Sequence, residues 1–470
     1  MEYVRTIEET KRYDLVVCGG GPSGTAAALA AAENGLSVLL VEGRARLGGT
    51  ATSGLVSHWL GGRTEQAEWV VGGLFRSIAE EAAERGVAVI PRLTGEATYQ
   101  PYGWLPWFIH GIPLDPHGVA RLLDERIAAA GIDLLLDTQV VDTVVTGDRI
   151  SKVVVYNKSG HSAVPAELFV DSTGDADVAA RSGCAYRKGR EEDGLMTPVT
   201  LGFHVYGVDH TELSRVINRD ATPKFRTKIE QLRADGIWTF PYDVFVSIQL
   251  VDDTTAMINT SRLVGIDGTD ATSMTEGYVR GRRETGELLE ILREHFPGFK
   301  NARIKEVASM LGVRETRRID GAFELTLDDL QTDASFEDTV GFSIYGWDLP
   351  DPKNPSVQPL VDESKGRFEN VQKKALSTPI PYRVMIPRPI ENLICTGRCV
   401  SVERDVLGPL RVMAPAMAMG EAAGTAASLA IREHTIYAEV KPSALRSQLR
   451  SRGCIIDREA LPEIQPRRDP

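Results

Sequence analysis

The sequence predicts an α/β protein in which a domain built on a buried parallel sheet is interrupted by an inserted α+β domain. Three observations predict it. A buried strand enters a glycine-rich turn and then a helix at YDLVVCGGGPSGTAAALAAAENG (13–35), and a second strand, LSVLLVE (36–42), ends on an acid. After a long stretch of different texture the chain returns to a buried strand, ENLICTGR (391–398), and a helix of small residues, PAMAMGEAAGTAASLAIRE (415–433).

At the first turn the pattern Gly19-x-Gly21-x-x-Gly24 is the outline of a phosphate cradle. Gly19 permits the tight turn, Gly21 lets backbone approach a pyrophosphate, and Gly24 lets the helix pack closely on the strand, so that unpaired helix N–H groups face the anion. The same glycines suit a ligand-free turn, and context decides between the two. Glu42 supplies that context: an acid at this distance beyond the glycines accepts hydrogen bonds from a ribose, the mark of a Rossmann-like βαβ half. The stretch GRARLGGTATSGLVSHWLGG (43–62) is too rich in Gly for a helix or central strand and suits backbone running close over a ligand, with a floppy loop as the alternative.

From Leu114 the chain reads as a capped amphipathic helix, a strand and a hairpin turned at Gly147-Asp148. A further strand then ends in DSTGD (171–175), small and acidic residues at the carboxyl edge of the sheet, where an extended cofactor meets the protein again. The texture changes beyond residue 186, with a charged helix, MTEGYVRGRRETGELLEILREHF (274–296), strands such as VFVSIQLV (244–251) and a Pro/Asp-rich loop at 347–363. The chain therefore divides into a first nucleotide-binding part at 12–185, an inserted substrate domain at 186–384, the last strand and helix of the nucleotide-binding domain at 385–435, and a helical tail at 436–470. The basic residues of that tail read as a solvated face.

A chain of 470 residues exceeds the ~250–300 at which a single core stops growing, which supports two joined domains. A formal charge of -12 argues against a nucleic-acid partner, because such binders need basic faces. The opening MEYVRTIEETKRYD has no apolar signal core and no later run lacks charge, so a cytoplasmic protein without a membrane span is expected. Five scattered cysteines make neither a disulfide framework nor a metal site, and Cys395 and Cys399 read as ordinary buried thiols.

GGGPSG, Glu42 with RLGGTAT, DSTGD, and NLICTGRCVSVERDVLGPLRVMAPAMAMGEAAGTAA stand in a definite order. With GVRETRRIDGAFELTLDDL and IPYRVMIP they resemble the FAD-dependent oxidoreductase family related to the glutathione reductase and fumarate reductase flavoproteins, over nearly the whole chain. The resemblance implies a glutathione-reductase-type ββα/β domain holding FAD, with Gly19, Gly21, Pro22, Ser23 and Gly24 at the pyrophosphate and Glu42 at the adenosine ribose. It places Gly43, Arg44, Gly48, Gly49, Thr50 and Val140 along the cofactor, Thr173, Gly174, Asp175, Gly397 and Arg398 near its phosphates or ribityl chain, and Gly408, Arg411, Val412 and Met413 beside the flavin. The positive end of the last helix and Arg411 are expected to face N1 and O2 of the flavin, a structural ion pair being the alternative for Arg411. Two departures stand out: many relatives carry Asp-x-His where this chain has Asp348-Leu349-Pro350, and His before the acid where it has Arg404-Asp405.

No second GxGxxG follows a later strand, so electrons are expected to pass directly between FAD and a small-molecule substrate, with oxygen, a quinone or a carrier protein closing the cycle. The leading reading is a dehydrogenase or oxidase of a CH–OH group, on a carbohydrate or glycoside, with His58 or His110 as base. His58 also admits a structural role or a flavin attachment. His110 lies in an aromatic segment whose Trp104 and Trp107 suit a wall or lid over the substrate. An enzyme alternative is a fumarate-reductase-like ene-reductase in which Arg314 and Arg318, four apart and on one face if helical, clamp a carboxylate together with Arg317. Structural pairing with Glu315 and Asp320 competes with that role. The remaining alternative is a flavoprotein subunit that relays electrons to a partner, and a homo-oligomer is compatible with each reading.

Overall fold

The computed structural model describes residues 4, 6–64, 66–91, 111–220, 225–356 and 377–464. Strands β1 (Tyr13–Cys18), β2 (Val38–Val41) and β3 (Asp133–Leu135) lie parallel in the order β3–β2–β1, with Leu15 opposite Val38 and Leu40 opposite Leu134. Leu15 to Cys18 of β1 and all of β2 are buried apolar runs because a parallel sheet is covered on both faces. Between them runs α1 (Pro22–Glu33), in which Ser23 to Ala31 are all buried. Helix α2 (Gly73–Glu84) packs against the same core, as does α3 (Pro116–Ala129). The Asp115 carboxylate caps α3 by accepting from the His117 and Gly118 amides, and Pro116 opens the helix, where a missing N–H costs nothing.

The hairpin of β4 (Gln139–Thr146) and β5 (Arg149–Asn157) turns at Gly147, whose φ of +59° needs glycine, and leads into β6 (Gly160–Asp171). β6 changes neighbours along its length. Its first half pairs antiparallel with β5, Val164 opposite Val153, and its second half runs parallel to β1, Leu168 opposite Leu15.

Within 203–307 a second, antiparallel sheet forms in the order β8–β9–β7–β10, from β7 (Phe203–Tyr206), β8 (Ser247–Gln249), β9 (Ala256–Ile258) and β10 (Arg303–Val307). Helix α4 (Ala271–His295) contributes Leu288 and Leu292 to its own aromatic core of Phe203, Trp238, Phe245, Phe296 and Phe299. The chain then rejoins the first sheet through β11 (Leu393–Cys395), parallel to β6 with Ile394 opposite Val170, and enters α5 (Met413–Glu433). The small residues of α1 and α5 let their backbones touch: a Cβ on Gly420 would lie 1.9 Å from the Ser23 carbonyl oxygen, and one on Gly424 2.2 Å from that of Ala27.

Two sequence expectations are corrected. Residues 314–318 are not helical, since Arg317–Ile319 is a strand paired with Tyr186–Lys188, so Arg314 and Arg318 do not share a helix face. In α6 (Pro442–Ser451) Arg446 is not simply solvated: it donates to the Thr339 carbonyl at 2.6 Å and to Asp457 at 2.6 Å, tying the tail to the body of the protein.

Candidate functional site

At the β1–α1 turn Gly19 has a φ of +105°, and a Cβ on Gly24 would lie 1.8 Å from the Gly19 carbonyl oxygen, so only glycine closes this turn. Gly21 is the N-cap of α1, extended and without a side-chain cap. The first turn holds no acid, and nothing lies within 4 Å of where a Gly21 Cβ would point. The amino end of α1 is therefore open on the side where a Gly21 side chain would point. Glu42, at the end of β2, accepts from the Gly20 amide at 2.6 Å and the Arg44 amide at 2.8 Å. Burial pushes its carboxyl up while those amides pull it down, so the residue braces the glycine loop.

The other motifs close around this turn. The Gly48 amide donates to the Gly20 carbonyl at 2.9 Å, Gly49 (φ +51°) would bring a Cβ to 3.0 Å from Gly21 Cα, and Thr50 continues the same single 3-10 turn. Gln139 donates to the Gly43 carbonyl at 2.9 Å, Val140 packs against the cluster of Val41, Val155 and Phe169, and the Arg44 side chain is exposed. In DSTGD, buried Asp171 accepts from the Thr173 hydroxyl at 2.6 Å and the Ala179 amide at 3.0 Å, and Ser172 meets Thr396 at 2.7 Å. Asp175 pairs with Arg398 and accepts from Thr316, each at 2.6 Å, with the Arg398 guanidinium lying over Gly174. Gly397 faces Ser23, since its Cβ would lie 3.3 Å from the Ser23 hydroxyl.

A second cluster forms where the 408–413 segment meets the 343–348 loop. Ser343 donates to the Pro409 carbonyl at 2.6 Å, and a Cβ on Gly408 would lie 3.2 Å from the Asp348 amide nitrogen. Arg411 donates to the Asp348 carboxylate at 2.8 Å and its carbonyl at 2.6 Å, and the Tyr345 hydroxyl donates to the same carboxylate at 3.0 Å. Arg314 donates to the Pro198 carbonyl at 2.7 Å and the Thr200 hydroxyl at 2.8 Å, and Arg262 to the carbonyls of Asn259 and Ser261 at 3.0 and 2.9 Å. Burial, then the charges of Arg262 and Arg411, hold the Arg314 guanidinium well below its ordinary range. Burial raises the Asp348 carboxyl, but Arg411, Arg314 and Arg262 outweigh it and hold it at about 2. Three guanidiniums thus lower one carboxylate, of which only Arg411 bonds to it, and Arg411 Nε is buried without a hydrogen-bond partner among the described residues.

The profile of a family described as FAD dependent oxidoreductase matches residues 14–449. The chain belongs to this family. Among curated relatives it is 27% identical over 189 residues to an uncharacterized protein in the nifH2 5' region of Methanosarcina barkeri, covering 39% of this chain and 95% of that protein. It is also 27% identical over 177 residues to digeranylgeranylglycerophospholipid reductase 1 of Methanococcoides burtonii, covering 35% of this chain but 38% of the reductase. A geranylgeranyl bacteriochlorophyll reductase-like structure from Thermoplasma acidophilum aligns with 94% of this chain and 84% of its own at a TM-score of 0.49 and 14% identity.

This FAD-dependent oxidoreductase has a cradle that fits its cofactor: an uncapped helix N-terminus behind an open glycine, and close approaches that only glycine permits. Its substrate-side candidates are distributed differently from the sequence reading. His58 is buried in a two-strand ladder, His58–Trp59 against Ile112–Pro113, with Gly111 packed on its ring, and burial lowers its imidazole to about 3. Arg318 is bonded to Glu315 at 3.0 Å, Arg317 to Asp177 at 3.0 Å, and only Arg314 of the RETRR arginines joins the cluster. His110, Trp104 and Trp107 lie outside the described residues. Arg262 and Tyr345 carry no signal in the sequence reading, because each sits in a loop whose neighbours come from distant segments.

Proposed function

We propose that this FAD-dependent oxidoreductase reduces a carbon–carbon double bond conjugated to a carboxylate. Bound FAD supplies reversible two-electron chemistry by hydride transfer. Gly19, Gly21 and Gly24 with the first amides of α1 hold its pyrophosphate, Glu42 its adenosine ribose, Asp175 and Arg398 its central portion, and Gly408 to Met413 lie beside its ring. The observation that carries the reading is the excess of guanidinium over carboxylate at Arg262, Arg314, Arg411 and Asp348 next to that segment. In a site of low dielectric such an excess favours an anionic group, and arginine forks match a carboxylate in geometry. The relative named as a reductase is consistent with this direction of electron flow.

Dehydrogenation of a CH–OH group on a carbohydrate or glycoside has lost its support. Of the two histidines expected as its base, His58 is held at about 3 and is a weak proton acceptor, and His110 lies outside the described residues. The reductase reading is tested by reducing the protein anaerobically with dithionite and adding enoates, plain alkenes and sugars in turn. Reoxidation by enoates alone, with the half-saturating concentration raised at least ~10-fold in Arg314→Gln, is the expected result. Bleaching of the oxidised protein by an alcohol, with no response of the reduced protein to any enoate, would overturn it.

A further inference from the structure

Where the start of α3 meets the antiparallel sheet of β7 to β10 there is a cavity of about 350 Å³, a size that suits a small organic ligand. No residue of the glycine cradle or of the arginine cluster lines it. A register shift shapes its wall. His204 on β7 stands opposite Glu306 on β10 and Val205 stands opposite Ile304, so Lys305 is an extra residue with no opposite number. A bulge of this kind breaks the alternation of a strand and re-aims a side chain, and Lys305 and Glu306, adjacent in sequence, line the same cavity.

The wall is rich in acceptors and short of donors. His204, which lines it, is 2% exposed, and its Nε2 meets the Leu55 carbonyl at 3.1 Å. A carbonyl only accepts, so that nitrogen carries the proton. Burial lowers the ring to about 4 against the pull of the Leu55 carbonyl and Glu306, so the imidazole is neutral at pH 7 and Nδ1 keeps its lone pair. Nδ1 has no hydrogen-bond partner among the described residues. Three carboxylates, Asp115, Asp252 and Glu306, line the same cavity against one ammonium, Lys305. Arg46, outside the lining, donates to Glu306 at 3.1 Å, and one negative charge is still in excess among these five groups. The start of α3 does not reverse this, because the Asp115 carboxylate already takes the His117 and Gly118 amides.

We propose that this cavity binds a small organic ammonium compound, whose N–H groups bond His204 Nδ1 and the carboxylates of Glu306 and Asp115 while its carbon chain lies on Leu250 and Val251. Lys305, 3.5 Å from Asp252, is the cation it competes with. The site goes beyond the reductase reading and does not rest on it.

The test is a ligand-observed NMR titration of full-length, FAD-loaded protein at constant ionic strength with three probes that share a four-carbon chain: butylammonium, butyrate and 1-butanol. Butylammonium should saturate the wild-type protein with a midpoint at or below ~5 mM, and the other two should not saturate it. Glu306→Gln should weaken butylammonium by at least ~5-fold, and Lys305→Met should tighten it by ~3–10-fold by removing the competing cation. Lys158→Met makes the same change in net charge on an exposed residue outside the cavity and should leave the midpoint unchanged. Saturation by butyrate and not by butylammonium, or no saturation by butylammonium up to ~50 mM, would overturn the proposal in wild-type protein alone, whatever the variants do. An unchanged midpoint in Glu306→Gln would also overturn it, as would equal tightening in Lys158→Met and Lys305→Met, which marks general attraction to an acidic surface.

Discussion

Replacing Gly420 with alanine tests whether backbone contact between α1 and α5 sets the shape of the cofactor cradle. The new Cβ would lie 1.9 Å from the Ser23 oxygen and 2.7 Å from its carbonyl carbon, and real Cβ atoms essentially never come within 3.0 Å. Alanine gains about 1 kcal/mol in helix propensity over glycine. Overpacking a close contact costs about 1–3 kcal/mol, because the helices must part by roughly 1 Å. The steric term wins, for a net loss of about 1 kcal/mol. Ser23 lies between Gly21 and Gly24, so the displacement falls on the amides proposed to hold the pyrophosphate, and FAD affinity should drop at least ~10-fold, equivalent to about 1.4 kcal/mol. Gly286→Ala is the control: Gly286 is exposed on α4 with nothing within 4 Å, so alanine should stabilise by about 0.5–1 kcal/mol and leave FAD binding unchanged. Urea unfolding of the apoprotein and fluorescence titration with FAD read both quantities. A Gly420→Ala protein with wild-type stability and affinity would refute the argument, as would effects of the same sign at the two glycines.

Buried Glu421 accepts from the Leu74 amide at 2.8 Å, and burial raises its carboxyl from 4.5 to about 6. A raised carboxyl stabilises below its unfolded value, and the contribution is lost as pH climbs through the folded one. Stability should therefore fall by about 2 kcal/mol across that window in wild type but not in Glu421→Gln, as read by urea melts at both ends. Glu42→Ala leaves the Gly20 and Arg44 amides without their acceptor and should weaken FAD binding by at least ~10-fold, measured by the same titration; an unchanged affinity would show that Glu42 is dispensable to the loop. If Arg411 lies beside the ring as proposed, Arg411→Ala should make the flavin reduction potential more negative, and an unchanged potential in dye-coupled titration would remove that role.

What was legible in the sequence was local. The glycines at 19, 21 and 24 announce a turn that tolerates no Cβ, the aliphatic runs of β1 and β2 announce a sheet covered on both faces, and Asp115-Pro116 announces a helix start. The substrate side was less legible because its parts meet only through tertiary structure. Arg262 follows β9, Arg314 precedes a strand, and Arg411 and Asp348 arrive on separate loops. The helical spacing of Arg314 and Arg318 misled because Glu315 is a buried hub that takes Arg318 and Arg404, leaving Arg314 to turn the other way. Asp348 drew notice only as the place where relatives continue to a histidine, which gave no hint of its arginine.

The touching of α1 and α5 also has a temporal side. The glycine loop leaves the ribosome well before the helix that backs it, which emerges about 400 residues later, some 20–80 s at ~5–20 residues per second. During that interval the face of α1 that α5 will cover has no neighbour, and the glycine loop stands without the helix that backs it.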